Sequence, residues 1–220
     1  MIHFKSIALL VLITCIVTSQ AKAQGVAADS QELQKAAQWV NKLSLSDQGK
    51  KQKVQDAIAL HLTQVRDWHN AHPVKENPGG INPATGNAFS TLDWEVIYCS
   101  QQPKSIHENL MNVLNGELSA DQAEAILDQY TVGKVAFTLK GYEAIVPDLT
   151  DQERTEILKN LRQAREQAID YKSMKEISAI FEIYKTKCEQ YLNSNGRNWR
   201  QLFKDYVNKR NEEKKSVNKK

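Results

Sequence analysis

Residues 119–146 read SADQAEAILDQYTVGKVAFTLKGYEAIV and carry the strongest structural signal in the chain. The segment opens with a capping box, in which the hydroxyl of Ser119 accepts a backbone N–H and the side chain of Gln122 reaches back. Apolar side chains then follow on most sides, and a helix that is apolar on most sides is a buried one. The pattern predicts a buried central helix that Pro147 ends.

Further helices surround this segment and predict an all-α protein. Capping boxes at Thr150 and Ser173 and a plainer N-cap at Ser46 and Asp47 begin three of them. Apolar residues repeat at steps of three and four after each start, which is typical of helices packed side by side. Shorter helices fit 31–43, 104–115 and 198–210. We therefore expect a single bundle of about six or seven helices with 119–146 at its centre.

The helical pattern stops between residues 73 and 90, where Pro, Gly and Asn are frequent. Loops beyond ~12–15 residues are uncommon in compact domains and are often functional or disordered. Residues 92–98 follow this loop, and their loose alternation fits a short strand as well as a helical turn.

The N-terminus has the pattern of a secretory signal. Lys5 supplies a positive charge, residues 7–17 are apolar, and 21–23 (Ala-Lys-Ala) offer the small residues that signal peptidase reads. We expect cleavage before Gln24 and a periplasmic or secreted product, with a lipoprotein anchored through Cys15 as the alternative. The apolar run is shorter than the ~20 residues of a membrane span, so we expect no membrane insertion after cleavage.

The rest of the chain suits one helical domain over 24–208, followed by a basic tail over 209–220. Positive charge is concentrated at the end, since residues 204–220 carry seven Lys or Arg against three Asp or Glu. A nucleic-acid-binding protein carries its basic stripe on the folded body. We therefore expect no nucleic-acid partner and interpret the tail as a solvated end.

Metal-binding and nucleophilic chemistry find little support in the spacing of residues. His61, His69 and His72 lie close together on one helix, but no H-E-x-x-H motif accompanies them, and we interpret them as polar residues of a helix end. No G-x-S-x-G elbow or phosphate-binding loop occurs. For Cys99 and Cys188, both a disulfide and two free thiols stay open. The sequence therefore names no catalytic residue, no metal ligand and no cofactor.

Aromatic residues point to a different kind of function. Trp68, Trp94 and Trp199 lie at helix ends or in irregular regions, where an aromatic face can stack on a sugar ring. Asn side chains in and around the loop at 73–90 supply amide donors and acceptors for sugar hydroxyls. For any single Trp, packing at the end of the bundle is the favoured interpretation, because Trp is highly buried on average. We predict a weak carbohydrate site beside the loop, at Trp68 and Trp94.

The stretch from residue 118 to residue 199 resembles the DUF3826 family of secreted Bacteroidetes proteins. The matching segments are 65–69 (Val-Arg-Asp-Trp-His), 130–133 (Tyr-Thr-Val-Gly), 145–150 (Ile-Val-Pro-Asp-Leu-Thr), 164–168 (Ala-Arg-Glu-Gln-Ala) and 191–196 (Tyr-Leu-Asn-Ser-Asn-Gly). The family is associated with sugar binding and with polysaccharide degradation, and it supplies no catalytic residue. The resemblance implies an exported carbohydrate-binding protein, accessory to polysaccharide utilisation, with an oligo- or polysaccharide partner.

Within those segments, the resemblance makes His69, Arg165 and Glu166 candidates for ligand binding, beside the Trp residues named above. Two other functions stay open. Helices that open with Leu-Thr-Asp-Gln are similar to periplasmic chaperones of the Spy and CpxP type, although a fully apolar central helix favours a closed core over their open apolar cradle. A polysaccharide-active enzyme is the other alternative, because its carboxylate pair is set by three-dimensional distance alone.

Overall fold

The computed structural model describes residues 28–74, 78–82 and 86–217, and over these residues the protein is all-α, as predicted. The helices are α1 (Ser30–Asn41), α2 (Gln48–Ala71), α3 (Thr91–Cys99), α4 (Lys104–Glu117), α5 (Ala120–Tyr130), α6 (Lys134–Ile145), α7 (Asp151–Ala168), α8 (Met174–Ser194) and α9 (Trp199–Val217). No helix in these ranges is both long and apolar enough to cross a membrane. The predicted signal segment, 1–23, lies outside the described residues.

The described ranges hold nine helices where the sequence predicts about six or seven, and two local features account for the difference. Residues 92–98 belong to α3, which begins with a capping box between Ser90 and Asp93. The predicted central helix, 119–146, is divided into α5 and α6. The predicted capping boxes are all present, at Ser119, Thr150 and Ser173.

The prediction of one continuous helix over 119–146 is corrected at residues 131–133. Val132 and Gly133 have positive φ angles of 53° and 68°, which break the helix. Left-handed backbone is easy for glycine and costly for a β-branched residue. The break separates two apolar faces, because the buried residues of α5 and those of α6 belong to different core clusters. If 119–146 is treated as one continuous helix, the two apolar faces add up to a surface that is apolar on most sides, which explains the prediction.

Buried apolar side chains form two clusters. The first joins α1, α2, α4 and α5 and includes Val40, Ile58, Leu114 and Ile126. The second joins α6, α7 and α8 and includes Leu139, Leu161, Ile180 and Leu192. Ile169 packs in the first cluster, whereas its neighbours Ala168 and Tyr171 pack in the second. The corner between α7 and α8 (residues 169–173) therefore lies where the two clusters meet.

Two large apolar side chains of the 119–146 segment are exposed. Val132 is 74% exposed and Phe137 is 80% exposed. Phe137 lines, together with Trp199 and Phe203, an apolar groove of about 680 Å³ formed by α6, α8 and α9, here called the α6–α9 groove. In the described chain, the 119–146 segment is therefore not covered on all sides, because part of its apolar surface is exposed at the α6–α9 groove.

Candidate functional site

Asp170, at the α7–α8 corner, binds histidines from two other helices. Its Oδ1 accepts a hydrogen bond from Nε2 of His61 in α2 (3.0 Å), and its Oδ2 accepts one from Nδ1 of His107 in α4 (2.9 Å). Its backbone carbonyl oxygen lies 3.1 Å from Nε2 of His69. Because a carbonyl oxygen only accepts, His69 carries its proton on Nε2. Three histidines therefore converge on one residue.

The carboxylate of Asp170 and the imidazole of His107 shift each other's pKa. Burial alone raises the pKa of Asp170, but the hydrogen bonds from His107 and His61 outweigh it and hold that pKa below its ordinary value. The hydrogen bond to Asp170 is the main cause that raises the pKa of His107. His107 is thus protonated to a larger extent near neutral pH than a solvated histidine, beside a carboxylate that stays ionised.

His107 and Asp170 lie on the wall of a cleft of about 460 Å³ between α4 and α7, here called the α4–α7 cleft. Helix α7 contributes Gln163, Glu166 and Gln167 to the lining, and residues at this spacing share one face of a helix. Oε1 of Glu166 lies 3.8 Å from Nε2 of His107. The lining is completed by Lys104, Glu108, Tyr171, Tyr184, Cys99 at the end of α3 and parts of the chain between α3 and α4.

The chemistry of this cleft is that of a hydrogen-bonding site. Amides both donate and accept, carboxylates accept and a protonated imidazole donates, so the wall offers every polarity of hydrogen bond. Charges of both signs are present, since Lys104 and His107 line the cleft together with Glu108 and Glu166. Such a surface suits a neutral, polyhydroxylated molecule better than a strongly charged one.

A second group of polar side chains lies on the other nitrogen of His69. Nδ1 of His69 is 3.3 Å from Sγ of Cys99 and 3.4 Å from Oε1 of Glu176, and Sγ is 3.8 Å from Oε1. In the described part of the chain, this is the group that could hold a metal ion. His72 does not join it, because its ring stacks on Trp68. Of the three histidines that the sequence places together, His61 and His69 both contact Asp170, whereas His72 contacts Trp68.

Neither cysteine of the described residues forms a disulfide. Cys99 lies beside His69, and Cys188 is buried in the second core cluster. Of the two alternatives that the sequence left open, the structure therefore shows Cys99 and Cys188 as two free thiols.

The two Trp residues predicted to form a stacking platform lie in separate aromatic groups. Trp68 stacks on His72 with a centroid distance of 4.4 Å, whereas Trp94 packs against Phe89 and Tyr98 at 5.2 and 6.1 Å. The indole nitrogen of Trp94 is buried. Neither Trp68 nor Trp94 lines the α4–α7 cleft.

The neighbouring candidates Arg165 and Glu166 have different surroundings. Arg165 is buried, with its guanidinium bound to Glu124 (2.5 Å) and Asp128 (2.6 Å) of α5. This arrangement fastens α7 to α5. The side chain of Glu166 is exposed and lines the α4–α7 cleft. Trp199 lies away from both, in the α6–α9 groove, where its ring contacts Tyr142 at 5.1 Å.

Sequence reasoning missed His107 and Asp170 and assigned Glu176 only a capping role. One signal was available: Gln163, Glu166, Gln167 and Asp170 form a polar stripe at helical spacing beside the apolar stripe of α7. The convergence of α2, α4 and the α7–α8 corner is a property of tertiary packing, so spacing along one helix does not reveal it.

The fold and site define an all-α bundle with a histidine–carboxylate junction between its two core clusters. A family model described as "Protein of unknown function (DUF3826)" matches residues 30–212, so the chain belongs to the DUF3826 family. Among curated proteins no relative is found.

Proposed function

We propose that the protein is an exported carbohydrate-binding protein, accessory to polysaccharide utilisation, and that its sugar site is the α4–α7 cleft. The observation that carries this proposal is the row of Gln163, Glu166 and Gln167 on one face of α7, which faces His107. Planar amide and carboxylate groups can each bind two neighbouring hydroxyls of a sugar ring, and Nε2 of His107 offers one further hydrogen bond, because its Nδ1 is bound to Asp170. Export rests on the signal pattern at residues 1–23.

The size and shape of the cleft support a small saccharide. Its volume of about 460 Å³ lies within the ~300–1,000 Å³ usual for small-molecule sites. Tyr184 lines the cleft and is half-buried, so part of its ring can lie against the C–H face of a sugar. Asp170 is held by two histidines, and it therefore fixes the wall before a ligand arrives, which lowers the entropic cost of binding.

The test is a glycan screen followed by calorimetry on the purified protein and on Glu166→Ala and Gln167→Ala. We expect either substitution to weaken binding about tenfold, which corresponds to ~1.4 kcal/mol. Gln190→Ala is the matched control, because Gln190 is an exposed α8 glutamine that lines neither the α4–α7 cleft nor the α6–α9 groove. Its affinity should equal that of the wild type.

Other outcomes would relocate or remove the site. Loss of binding in Trp68→Ala or Trp94→Ala, with full binding in the cleft variants, would place the sugar beside the loop at 73–90. Loss only in Trp199→Ala would place it in the α6–α9 groove. A folded wild-type protein that binds no glycan would refute the proposal.

One observation favours a second function, that of a chaperone. Phe137 is 80% exposed on the α6–α9 groove, beside Phe203 and Trp199, and exposed apolar surfaces of this kind mark interaction sites. The assay is suppression of aggregation of an unfolded client protein without added sugar. Suppression by the wild type that Phe137→Ser abolishes would favour the chaperone over the sugar-binding protein.

A further inference from the structure

His69, Cys99 and Glu176 come from three different elements and meet in the interior. His69 lies in the last turns of α2, Cys99 is the last residue of α3, and Glu176 lies in the first turn of α8. The side chains of His69 and Glu176 are only 2% and 4% exposed. Imidazole nitrogen, cysteine sulfur and carboxylate oxygen are the three kinds of ligand that Zn²⁺ takes in proteins.

We infer that His69, Cys99 and Glu176 form a binding site for one Zn²⁺ ion. The distances between the ligand atoms fit this ion. With Zn–S of about 2.3 Å and Zn–N and Zn–O of about 2.0–2.1 Å at tetrahedral angles, neighbouring ligand atoms lie roughly 3.3–3.6 Å apart. The observed separations are 3.3 Å for N to S, 3.4 Å for N to O and 3.8 Å for S to O. The ligands therefore need to shift by only a few tenths of an ångström.

Two of the three ligands are oriented by groups behind them. Nε2 of His69 donates to the backbone carbonyl of Asp170, which leaves the lone pair of Nδ1 directed at Cys99 and Glu176. A histidine ligand commonly donates its second N–H to a carbonyl or carboxylate in this way. Oε2 of Glu176 accepts from the backbone N–H of Ser173 in the capping box, so Oε1 is the oxygen that faces the ion.

The charges of the group match a divalent cation. A thiolate and a carboxylate with a neutral imidazole balance the charge of Zn²⁺. Without a cation, burial and the neighbouring Glu176 raise the pKa of Cys99 to about 12, so the thiol stays protonated. A bound metal removes that proton outright. Ca²⁺ and Mg²⁺ require oxygen ligands and do not suit sulfur.

Three protein ligands leave the fourth position of a tetrahedral ion to water or to a bound molecule. All three side chains line a cavity of about 210 Å³, and Cys99 also lines the α4–α7 cleft. Lys172 lines the smaller cavity as well, with its ammonium 2.9 Å from Oδ1 of Asn70. The zinc site is argued from its own ligand atoms and does not rest on sugar binding.

The test measures zinc binding by the purified, chelator-treated protein. Competition with a chromophoric chelator should give one Zn²⁺ per chain, and Co²⁺ in its place should show the near-ultraviolet charge-transfer absorption of a thiolate ligand. Cys99→Ser should abolish that absorption and weaken zinc binding about a hundredfold. Glu176→Gln should weaken zinc binding strongly with the fold intact, because Gln serves as well as Glu in a capping box.

Cys188→Ala is the control for the other thiol, and circular dichroism checks that each variant is folded. One zinc per chain, retained in Cys188→Ala and lost in Cys99→Ser and Glu176→Gln, supports the site. A folded wild-type protein that takes up no zinc would overturn it, as would zinc binding that both ligand variants leave unchanged. Glycan binding is measured separately, so failure of one proposal leaves the other standing.

Discussion

Replacing Asp170 by Asn tests the junction on which the candidate site is built. The substitution keeps the shape of the side chain and removes its charge, while the amide offers only one accepting oxygen to His61 and His107. Hydrogen bonds to a charged group contribute about 1.5–3 kcal/mol each. His61 is 1% exposed, so a lost partner is not replaced by water. We expect the free energy of unfolding to fall by about 2–4 kcal/mol.

The pH dependence of stability has a defined sign at this junction. The pKa of Asp170 is lowered in the folded protein, so its contribution is present above the ordinary value of about 3.8 and is lost as the pH falls through the folded pKa. The pKa of His107 is raised, so its contribution is fully present below about 6.5 and is lost as the pH rises through the folded pKa. The wild type should therefore gain most from the pair between about pH 4 and 6.5.

The assay is urea denaturation followed by circular dichroism across that pH range, with NMR titration of His107. Asp170→Asn should flatten the pH profile and lower the pKa of His107 towards its ordinary value. The control is Asp205→Asn, an exposed α9 residue bonded to Gln201, which should change stability by less than about 0.5 kcal/mol. Equal stability of Asp170→Asn and wild type, with an unchanged pKa of His107, would refute the reasoning.

Four further substitutions test the fold. Arg165→Ala should destabilise by about 1–3 kcal/mol in urea denaturation, because it removes charge-assisted bonds to Glu124 and Asp128, whose carboxylates are partly exposed and stay solvated. Sugar affinity should stay unchanged in the folded fraction. Gly133→Ala should destabilise the protein by about 1 kcal/mol, because the φ angle of Gly133 is +68°. Gly141 lies inside α6 with open space around it, so Gly141→Ala should stabilise the protein by about 0.5–1 kcal/mol. Thermal unfolding of that pair decides whether the break lies where we place it. Phe137→Ser should change the free energy of unfolding by less than about 0.5 kcal/mol, since the ring is exposed. A large loss of stability would instead indicate that Phe137 is buried, as the sequence predicts.

The helices were predictable because their signals are local. The capping boxes at Ser119, Thr150 and Ser173 depend on residues three positions apart, and apolar stripes follow them directly. The break at Gly133 was not predictable in the same way, because a single glycine inside an apolar segment is also tolerated in a continuous helix. The choice between a break and a continuous helix depends on tertiary packing, because α5 and α6 pack into two separate core clusters.

The candidate site was predictable in part. Glu166 was identified through the family resemblance, and the structure places it in the α4–α7 cleft. Arg165, its neighbour in the same motif, is instead an ion-pair residue between helices. His69 was named as a ligand-binding residue, but its partners Cys99 and Glu176 lie 30 and 107 positions further along the chain. Distances of that kind are set by packing, so helical spacing does not predict them.

Two-dimensional NMR of side-chain amides with an oligosaccharide from the glycan screen tests the central proposal most directly. If the α4–α7 cleft binds sugar, the amide signals of Gln163 and Gln167 shift in proportion to saturation, while the indole signals of Trp68, Trp94 and Trp199 stay in place. Shifts confined to the indole signals, with both glutamine amides unchanged, would contradict the α4–α7 cleft as the sugar site.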